Sequence, residues 1–413
     1  MIKELMKKTG RRRGKRWLIA LAILLLVAGY CAWAARRQLP DIAAAQPLVS
    51  VKAEVPAGRP LAWPAGGQAA VGIAGSSTLQ THGGAQTGMP TASTAKLITA
   101  LCVLQKRPLT LGQQGPTITL TASDVALFNS YNSKQGSVVK VAAGEQISEY
   151  QMLQTLMLPS ANNMADSLAT WAFGSLPAYA AYANNYVSQL NLTATHIGTD
   201  ASGFDPSTVS SAHDLVKLGE IAMQNPVLAQ IVGQPSASGI PIVNNIKNVN
   251  FLLGTDGIVG IKTGNTDQAG GVFVAADQGI INSKHVTIVT AVLGSPTLFA
   301  AMKDNLTLIQ SAQANFKPAT IVKADAVVGR YKLPWGNYVS AQATQDLKLS
   351  GWAGSTIPFT VNLKPISADS RSGQNIGSLT VKASATNGQT SIPLQLKTAP
   401  GKPSIRWRLL HPL

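Results

Sequence analysis

Residues 90–100 read PTASTAKLITA and mark the start of a helix that carries two reactive side chains. Ser93 and Lys96 stand three positions apart, and apolar residues recur at helical spacing from 92 to 104. Positions i and i+3 share one face of a helix, so the serine hydroxyl and the lysine amine can meet. A serine hydroxyl is a poor nucleophile until a base removes its proton. The sequence therefore predicts that Ser93 is a nucleophile and that Lys96 is its base.

A second serine–lysine pair with the same spacing, Ser137 and Lys140, is a weaker candidate. It lies in a β-branched stretch between two glycines, and in a strand positions i and i+3 point to opposite faces. Lys96 must be neutral to act as a base. Burial, a second cation and the positive end of its own helix would all lower the pKa of this lysine. Lys262 is the candidate for the second cation.

Two further short motifs follow in the chain. Ser160-Ala161-Asn162 comes after a helical pattern that ends at a proline, and Lys262-Thr263-Gly264 ends an apparent strand. Gly264 would let a ligand backbone lie close to that strand. Lys262 and the hydroxyls of Thr263 and Thr266 could hold a substrate carboxylate. Each motif alone is a weak signal, because Ser130-Tyr131-Asn132 also has the S-x-N pattern, and only the ordered set is informative.

The charge of the chain has two sources. The formal net charge is +16, and the first 37 residues hold ten Lys and Arg against one Glu, which leaves +7 for the body. Such a body suits anionic wall polymers or lipid head groups, although a solvated surface without a charged partner explains it equally well. Nucleic acid is not an expected partner, because no basic run with interleaved aromatic residues follows Arg37.

Cofactor chemistry is not expected from the residue pattern. The chain has two cysteines, Cys31 and Cys102, and five histidines that are isolated from one another in the sequence. None of these residues shows the spacing of metal ligands, so neither a metal nor another cofactor is predicted.

The N-terminus predicts where the body lies. Residues 1–16 form a basic cytoplasmic segment, and the uncharged residues 17–35 would span roughly 28 Å as a helix, close to a bilayer core of about 30 Å. Eight Lys and Arg precede this segment and two follow it closely, which favours an extracytoplasmic body on the cell membrane. A cleaved signal peptide ending at Ala32-Trp33-Ala34 is the alternative and would give a secreted protein. The length of the apolar run favours a retained anchor.

Changes in composition divide the remaining chain into three parts. Residues 36–64 are rich in Pro and Ala and are predicted to be a spacer. Residues 65–317 combine helical patterns with short β-branched segments and contain all three motifs, so they are predicted to be the catalytic domain. Residues 318–413 carry alternating segments separated by turn residues, which predicts a separate β-rich domain. Residues 405–410 are expected to form its last strand.

The three motifs, together with the residues around them at 90–100, 158–166 and 256–267, resemble those of the low-molecular-mass serine D-alanyl-D-alanine carboxypeptidases. These are penicillin-binding proteins of the peptidase S11 type. Gly203-Phe204-Asp205 and residues 210–215 add to the resemblance, which covers about residues 68–317. It implies an α+β fold like that of β-lactamases and DD-peptidases: an antiparallel sheet flanked by helices, an α-helical subdomain, and here a small all-β C-terminal domain.

The resemblance also implies an activity, which is removal of the terminal D-alanine from peptidoglycan stem peptides through an acyl-enzyme on Ser93. β-Lactam antibiotics would be inhibitors. Lys96 would be the base, Ser160 would relay a proton to the leaving D-alanine, and Asn162 would bind the peptide amide. The site residues Lys262 and Thr263 would hold the terminal carboxylate.

The oxyanion hole would consist of the backbone N–H groups of Ser93 and Asn265. One departure from the family lies here, because relatives commonly have His where this chain has Asn265. Relatives also end in an amphipathic membrane helix, whereas this chain is expected to anchor at its N-terminus.

Three alternatives remain open at this point. A class A β-lactamase shares the motifs but needs a glutamate that activates the deacylating water; residues 161–219 contain none, and Glu220 lies within a helical pattern. A DD-endopeptidase of the same fold would cut cross-links instead of releasing D-alanine. A non-catalytic wall-binding protein would use the β-rich domain.

Overall fold

Residues 2–43, 52–281, 284–383 and 388–412 are described by the computed structural model of the chain. The helices in these ranges are α1 (Ile2–Arg36), α2 (Ala95–Lys106), α3 (Ala122–Ser133), α4 (Glu149–Met157), α5 (Asn162–Phe173), α6 (Leu176–Gln189), α7 (Ala212–Gln224), α8 (Pro226–Val232), α9 (Leu298–Gln313) and α10 (Ile405–Leu410).

The strands are short in the first half of the chain and longer after α8. They are β1 (Lys52–Glu54), β2 (Gln68–Ile73), β3 (Leu79–His82), β4 (Met89–Pro90), β5 (Thr117–Thr119), β6 (Gln146–Ser148), β7 (Val209–Ser210), β8 (Ser236–Ile240), β9 (Asn244–Lys247), β10 (Ile258–Thr266), β11 (Gly270–Ile281), β12 (Lys284–Ser295), β13 (Phe316–Val322), β14 (Val327–Lys332), β15 (Tyr338–Ala343), β16 (Leu347–Trp352), β17 (Thr356–Leu363), β18 (Asn375–Ala383) and β19 (Gly388–Leu396).

A five-stranded antiparallel sheet in the order β10-β11-β12-β2-β3 forms the centre of the region between residues 68 and 295. Side chains alternate between its two faces, because successive residues of a strand point in opposite directions. On β11, Val272 and Val274 belong to the core that includes α7, whereas Phe273 and Ala275 belong to the core that includes α9. All four side chains are fully buried, which explains why this strand reads as a continuous apolar run.

A helical subdomain formed by α2 to α6 packs beside the sheet. Its apolar side chains share one core with the α7 face of the sheet. Helix α2 is almost completely buried, from Ala95 to Leu104. Helix α2 therefore passes through the middle of the domain, and the turn at Ser93 that precedes it lies beside strand β10.

The C-terminal region contains a six-stranded sheet in the order β1-β17-β18-β19-β15-β14 and the pair β13-β16. Strand β1 belongs to the segment predicted to be a spacer, yet it pairs with β17, and Ile42 forms a bridge with Ile366. This segment is thus tied into the C-terminal sheet, because an edge strand of that sheet offers free backbone groups for pairing. Val328 and Leu394 are among the fully buried residues of its core.

The prediction that residues 405–410 form a strand was wrong, because they form helix α10. The Ser404 hydroxyl accepts a hydrogen bond from the Trp407 N–H and caps this helix. The Arg408 guanidinium donates to the carbonyl oxygens of Ala35 (3.0 Å) and Arg37 (3.2 Å) at the C-terminal end of α1. Carbonyls at a helix C-terminus lack partners within the helix and attract cations, so α10 docks where α1 ends.

Helix α1 carries the apolar segment. Residues Lys15–Arg36 form a span of 22 residues with a mean hydropathy of 2.4, long and apolar enough to cross a membrane. This property is compatible with a membrane anchor and also with a signal sequence.

Candidate active site

Ser93 lies in a tight 3-10 turn, Ala92–Thr94, that leads directly into α2. The turn is held by the Thr94 hydroxyl, which donates to the Thr91 carbonyl oxygen at 2.7 Å. Ala92 has a positive φ of 45°, an uncommon conformation for a residue with a side chain. The loop that contains Gly203 packs directly against this turn. Only glycine fits at position 203, because a Cβ there would lie 2.1 Å from the Ala92 carbonyl oxygen. The serine is therefore presented at a fixed position and remains partly exposed.

Lys96 is completely buried directly behind the serine. Its Nζ donates hydrogen bonds to Ser93 Oγ at 2.8 Å and to Asn162 Oδ1 at 2.6 Å. A third bond runs to the Ser202 carbonyl oxygen at 3.1 Å. Burial lowers the pKa of Lys96 from 10.5 to about 7, against the opposite effect of the Asp200 and Asp166 carboxylates. About half of the lysine is consequently neutral at pH 7, and its lone pair is then available to the serine proton.

A group of acids behind Lys96 was not predicted from the sequence as part of the site. Asp166 accepts hydrogen bonds from the Tyr131 hydroxyl at 2.6 Å and from the Ala201 N–H at 2.8 Å. Burial raises the pKa of Asp166 to about 6. The signal that could have revealed it is the spacing of four residues from Asn162, which places both side chains on one face of α5.

Asp200 holds the loop that contributes the Ser202 carbonyl. Its carboxylate accepts hydrogen bonds from the backbone N–H groups of Ser202 at 3.2 Å and Gly203 at 2.7 Å. The N–H of Asp205 donates to the same carboxylate at 2.9 Å. The loop that Lys96 touches is therefore fixed by one buried side chain.

The S-x-N motif forms the turn between α4 and α5, opposite the serine. Ser160 has a φ of 65° and is 5% exposed. Asn162 begins α5, and its N–H donates to the Ser137 carbonyl oxygen at 2.7 Å. Ser137, from the competing serine–lysine pair, thus contributes a main-chain group to the site, while Lys140 of that pair is exposed.

The K-T-G motif lies on β10, the strand at the edge of the central sheet. Lys262 is 2% exposed, and its Nζ donates to Ser160 Oγ at 2.9 Å and to the Thr263 carbonyl oxygen at 3.0 Å. Its pKa is lowered well below the usual value, first by burial and then by the charge of Lys96. A Cβ at Gly264 would lie 3.0 Å from the Ser93 backbone nitrogen, so the glycine lets β10 pass directly beside the nucleophile.

The predicted site residues fall into two groups in the structure. Hydrogen bonds link Ser93, Lys96 and Asn162, and a separate bond links Ser160 and Lys262, with the side chain of Thr263 buried next to them. Asn265 and Thr266 lie further along β10, where Asn265 is exposed and the Thr266 hydroxyl accepts a hydrogen bond from the Ala269 N–H at 3.2 Å. Thr266 is therefore already engaged in its own turn.

A cleft of about 640 Å³ extends from this end of β10 towards α3. Asn265, Thr266 and Asp267 line one of its walls, and Tyr131 and Asp166 also line it. An elongated ligand bound beside Ser93 has room to continue into this cleft.

Glu220 does not lie in the cleft. Its Oε2 accepts a hydrogen bond from Lys217 Nζ at 3.0 Å, and its Oε1 lies against Gly72 of strand β2. Among the described residues, no group of three or more His, Cys, Asp or Glu side chains is placed to hold a metal ion. The described cysteines, Cys31 and Cys102, are unpaired.

Comparison with known proteins connects this geometry with a family. The sequence profile of the D-alanyl-D-alanine carboxypeptidases, Peptidase S11, matches residues 74–297, more than half of the chain. D-alanyl-D-alanine carboxypeptidase DacB2 of Mycobacterium tuberculosis is 35% identical over 194 residues, which cover 45% of this chain and 62% of the relative. A D-alanyl-D-alanine carboxypeptidase of a Streptomyces species is 29% identical over 237 residues, which cover 53% of this chain and 77% of the relative. The mycobacterial match thus spans less than two thirds of that relative.

Solved structures share the architecture. Penicillin-binding protein 5 from Haemophilus influenzae superposes with a TM-score of 0.56 at 22% identity, covering 83% of this chain and 99% of that structure. The Streptomyces DD-transpeptidase superposes with a TM-score of 0.53 at 23% identity, covering 62% of this chain and 98% of that structure. These similarities confirm the predicted α+β fold class. The nucleophile turn, the S-x-N turn and the K-T-G edge strand all lie within the matched residues, and the chain belongs to the Peptidase S11 family of D-alanyl-D-alanine carboxypeptidases.

Proposed function

We propose that this chain is a serine D-alanyl-D-alanine carboxypeptidase that acts on peptidoglycan stem peptides through an acyl-enzyme on Ser93. The observation that carries the proposal is the 2.8 Å hydrogen bond between Lys96 Nζ and Ser93 Oγ, made by a lysine whose pKa is about 7. A half-neutral lysine in contact with the hydroxyl is the base that a serine nucleophile requires when no histidine is present.

In the first half of the reaction, Ser93 Oγ attacks the carbonyl carbon of the penultimate D-alanine, and Lys96 accepts the hydroxyl proton. The backbone N–H groups of Ser93 and Asn265 bind the oxyanion in this proposal, which is supported by the close passage of β10 beside the serine at Gly264. The C–N bond then breaks, and the leaving D-alanine needs a proton on its nitrogen. Ser160, which accepts a hydrogen bond from Lys262, relays to this nitrogen the proton that Lys96 took from Ser93.

Lys262 and Thr263 bind the carboxylate of the leaving D-alanine. Burial and Lys96 lower the pKa of Lys262, but a carboxylate beside it favours its protonated form, and an ammonium group next to a hydroxyl is a strong site for an anion. Asn162 keeps its amide near Lys96 and offers its Nδ2 to the peptide carbonyl. In the second half of the reaction, water attacks the acyl carbon and releases the shortened peptide, and the serine recovers its proton.

β-Lactam antibiotics are proposed inhibitors, since they present a carboxylate and a reactive carbonyl to the same groups. Their acyl-enzymes are expected to persist. Residues 161–219 contain no glutamate, and Glu220 faces β2 instead of the cleft, so none of these positions supplies the glutamate that activates the deacylating water in a class A β-lactamase.

Retention of α1 as a membrane anchor is the proposed location, with the body outside the cytoplasm. The support is a set of hydrogen bonds between α10 and the last turns of α1. Arg408 binds the final carbonyls of α1, the Tyr30 hydroxyl donates to the Leu409 carbonyl oxygen at 2.7 Å, and the Arg37 guanidinium donates to the His411 carbonyl oxygen. Cleavage after Ala34 would remove the hydrogen bond of Tyr30 and the longer bond from Arg408 to the Ala34 carbonyl oxygen at 3.4 Å.

The test of the activity uses the full-length protein in detergent. A fluorescent penicillin should give a long-lived covalent adduct with the native protein and with Ser137→Ala, the matched control from the competing motif, but not with Ser93→Ala. A pentapeptide ending in D-Ala-D-Ala should release D-alanine with the same dependence on Ser93. A folded protein that forms no adduct and releases no D-alanine would refute the proposal and favour a wall-binding role. Purified muropeptide dimers, incubated in parallel, measure any endopeptidase activity.

A further inference from the structure

Lys262 and Ser93 together determine the direction in which a substrate lies along β10. Lys262 lies at one side of Ser93, where the leaving carboxylate binds in the proposed function. Strand β10 continues past the serine to Thr266, and the turn that follows carries Asp267 and Gln268. A substrate whose scissile carbonyl lies at Ser93 must therefore extend its acyl part along residues 265–268. The residue that precedes D-Ala-D-Ala, the third of the stem peptide, is then carried into the 640 Å³ cleft.

This part of the cleft is lined by two acidic side chains, Asp267 and Asp205, and by one basic side chain, Lys134. Asp267 is exposed in the turn after β10 and has no hydrogen-bond or ion-pair partner among the described residues. Asp205 lines the same cleft, and hydrogen bonds from Ser207, with a smaller effect of Lys134, lower its pKa, so it stays ionised at neutral pH. Lys134 lines the cleft as well and lies near Asp205.

The other two acids of the cleft are already satisfied. Asp166 accepts hydrogen bonds from Tyr131 and Ala201, and Asp200 is saturated by backbone N–H groups of its own loop. The carboxylate left for a ligand is that of Asp267, with Asp205 beside the same space. A cationic group on the third residue would therefore be attracted by these carboxylates, whereas a neutral group would gain no such attraction.

We propose that Asp267, assisted by Asp205, recognises the free ω-ammonium group of a diamino acid at the third position of the stem peptide. This inference rests on the proposed function. When a stem peptide serves as the acceptor in a cross-link, its ω-amine becomes a neutral amide and loses the charge that Asp267 binds. The protein would then prefer stem peptides that have not yet been cross-linked through this amine, and it would act before the acceptor step of cross-linking.

Two diamino acids carry this ammonium group, lysine and diaminopimelate. Diaminopimelate has a carboxylate next to the terminal amine, whereas lysine has none. Lys134, close to Asp205, is placed to bind that carboxylate. Replacement of Lys134 by Met should therefore lower the activity on diaminopimelate peptides relative to lysine peptides, and an unchanged ratio would exclude Lys134 as the site of this carboxylate.

The decisive experiment compares two pentapeptides that differ only in the ε-amine of the third-position lysine, which is free in one and acetylated in the other. For the full-length protein, we expect kcat/KM to be about fivefold higher for the free amine, the size of one partly exposed ion pair. Asp267→Asn should bring the ratio of the two kcat/KM values close to one, and Asp267→Glu should restore it. Asp369→Asn, an equal charge change in the C-terminal region, should keep the fivefold ratio. Equal kcat/KM values for both peptides with the native protein would overturn the inference.

A binding measurement tests this inference independently of the proposed reaction. With Ser93→Ala, which cannot be acylated, calorimetry measures the affinity of each peptide without turnover. A fivefold preference of Ser93→Ala for the free amine, lost in the Ser93→Ala/Asp267→Asn double variant, supports the inference even if the native protein releases no D-alanine and the carboxypeptidase proposal fails. Equal affinities of Ser93→Ala for the two peptides refute the inference, whatever the rate of D-alanine release.

Discussion

The rate of acylation should depend on pH through Lys96, and the structure gives the size of the effect. An unperturbed lysine with a pKa of 10.5 is neutral in about one molecule of 3000 at pH 7, whereas a pKa of about 7 makes about half of the molecules neutral. Burial therefore raises the amount of active base roughly 1500-fold at this pH. Because the neutral form is the active one, the rate should rise as pH rises through about 7.

The corresponding assay measures the second-order rate constant of acylation by a fluorescent penicillin between pH 5 and pH 9. We expect about a tenfold increase per pH unit below pH 7 and a plateau above about pH 8. Lys96→Arg, whose guanidinium stays protonated, should lower the rate by at least about a thousandfold at pH 7, within the usual range for loss of a catalytic base. Lys140→Met, which removes the exposed lysine of the competing motif, should leave the profile unchanged.

Two results would refute this reasoning. One is a profile that is flat between pH 5 and pH 7, which would mean that no group with a pKa near 7 controls acylation. The other is an inflection near pH 10, which would mean that Lys96 keeps the pKa of an exposed lysine in spite of its burial.

Three further predictions concern the neighbours of this lysine. Asp166→Asn removes a negative charge that raises the pKa of Lys96, so the inflection of the acylation profile should move below pH 7; an unchanged or higher inflection would contradict the coupling. Lys262→Met should raise KM about tenfold for peptides that end in a carboxylate but not for the corresponding amides, and an equal effect on both would exclude Lys262 as the carboxylate site. Gly203→Ala places a Cβ 2.1 Å from the Ala92 carbonyl oxygen at a φ of 69° and should lower the free energy of unfolding by about 2 kcal/mol or more, whereas an unchanged urea midpoint would show that the turn can move.

Local patterns in the chain were sufficient to predict much of the fold. Helical spacing after Ser93 predicted α2, and the apparent strand that ends in Lys262-Thr263-Gly264 is part of β10. Such patterns can be recognised because a buried helix face and a buried strand each require apolar residues at a characteristic spacing along the chain. Residues 405–410 were misassigned because six residues with alternating polarity satisfy both periods, and their docking on α1 is a contact between the two ends of the chain.

The candidate active site, like the fold, could be predicted only in part. The sequence by itself was enough to predict Ser93 as the nucleophile, Lys96 as its base and the two companion motifs, because Ser93 and Lys96 are one helical turn apart and the other motifs have recognisable spacing. Only the tertiary structure decided that Asp166 and Asp200 lie behind Lys96, that Lys262 bonds to Ser160 across 102 positions of sequence, and that β1 joins the C-terminal sheet. Burial and long-range contacts set the pKa of Lys96, and neither leaves a periodic signal in the chain, because both depend on segments that meet only after folding.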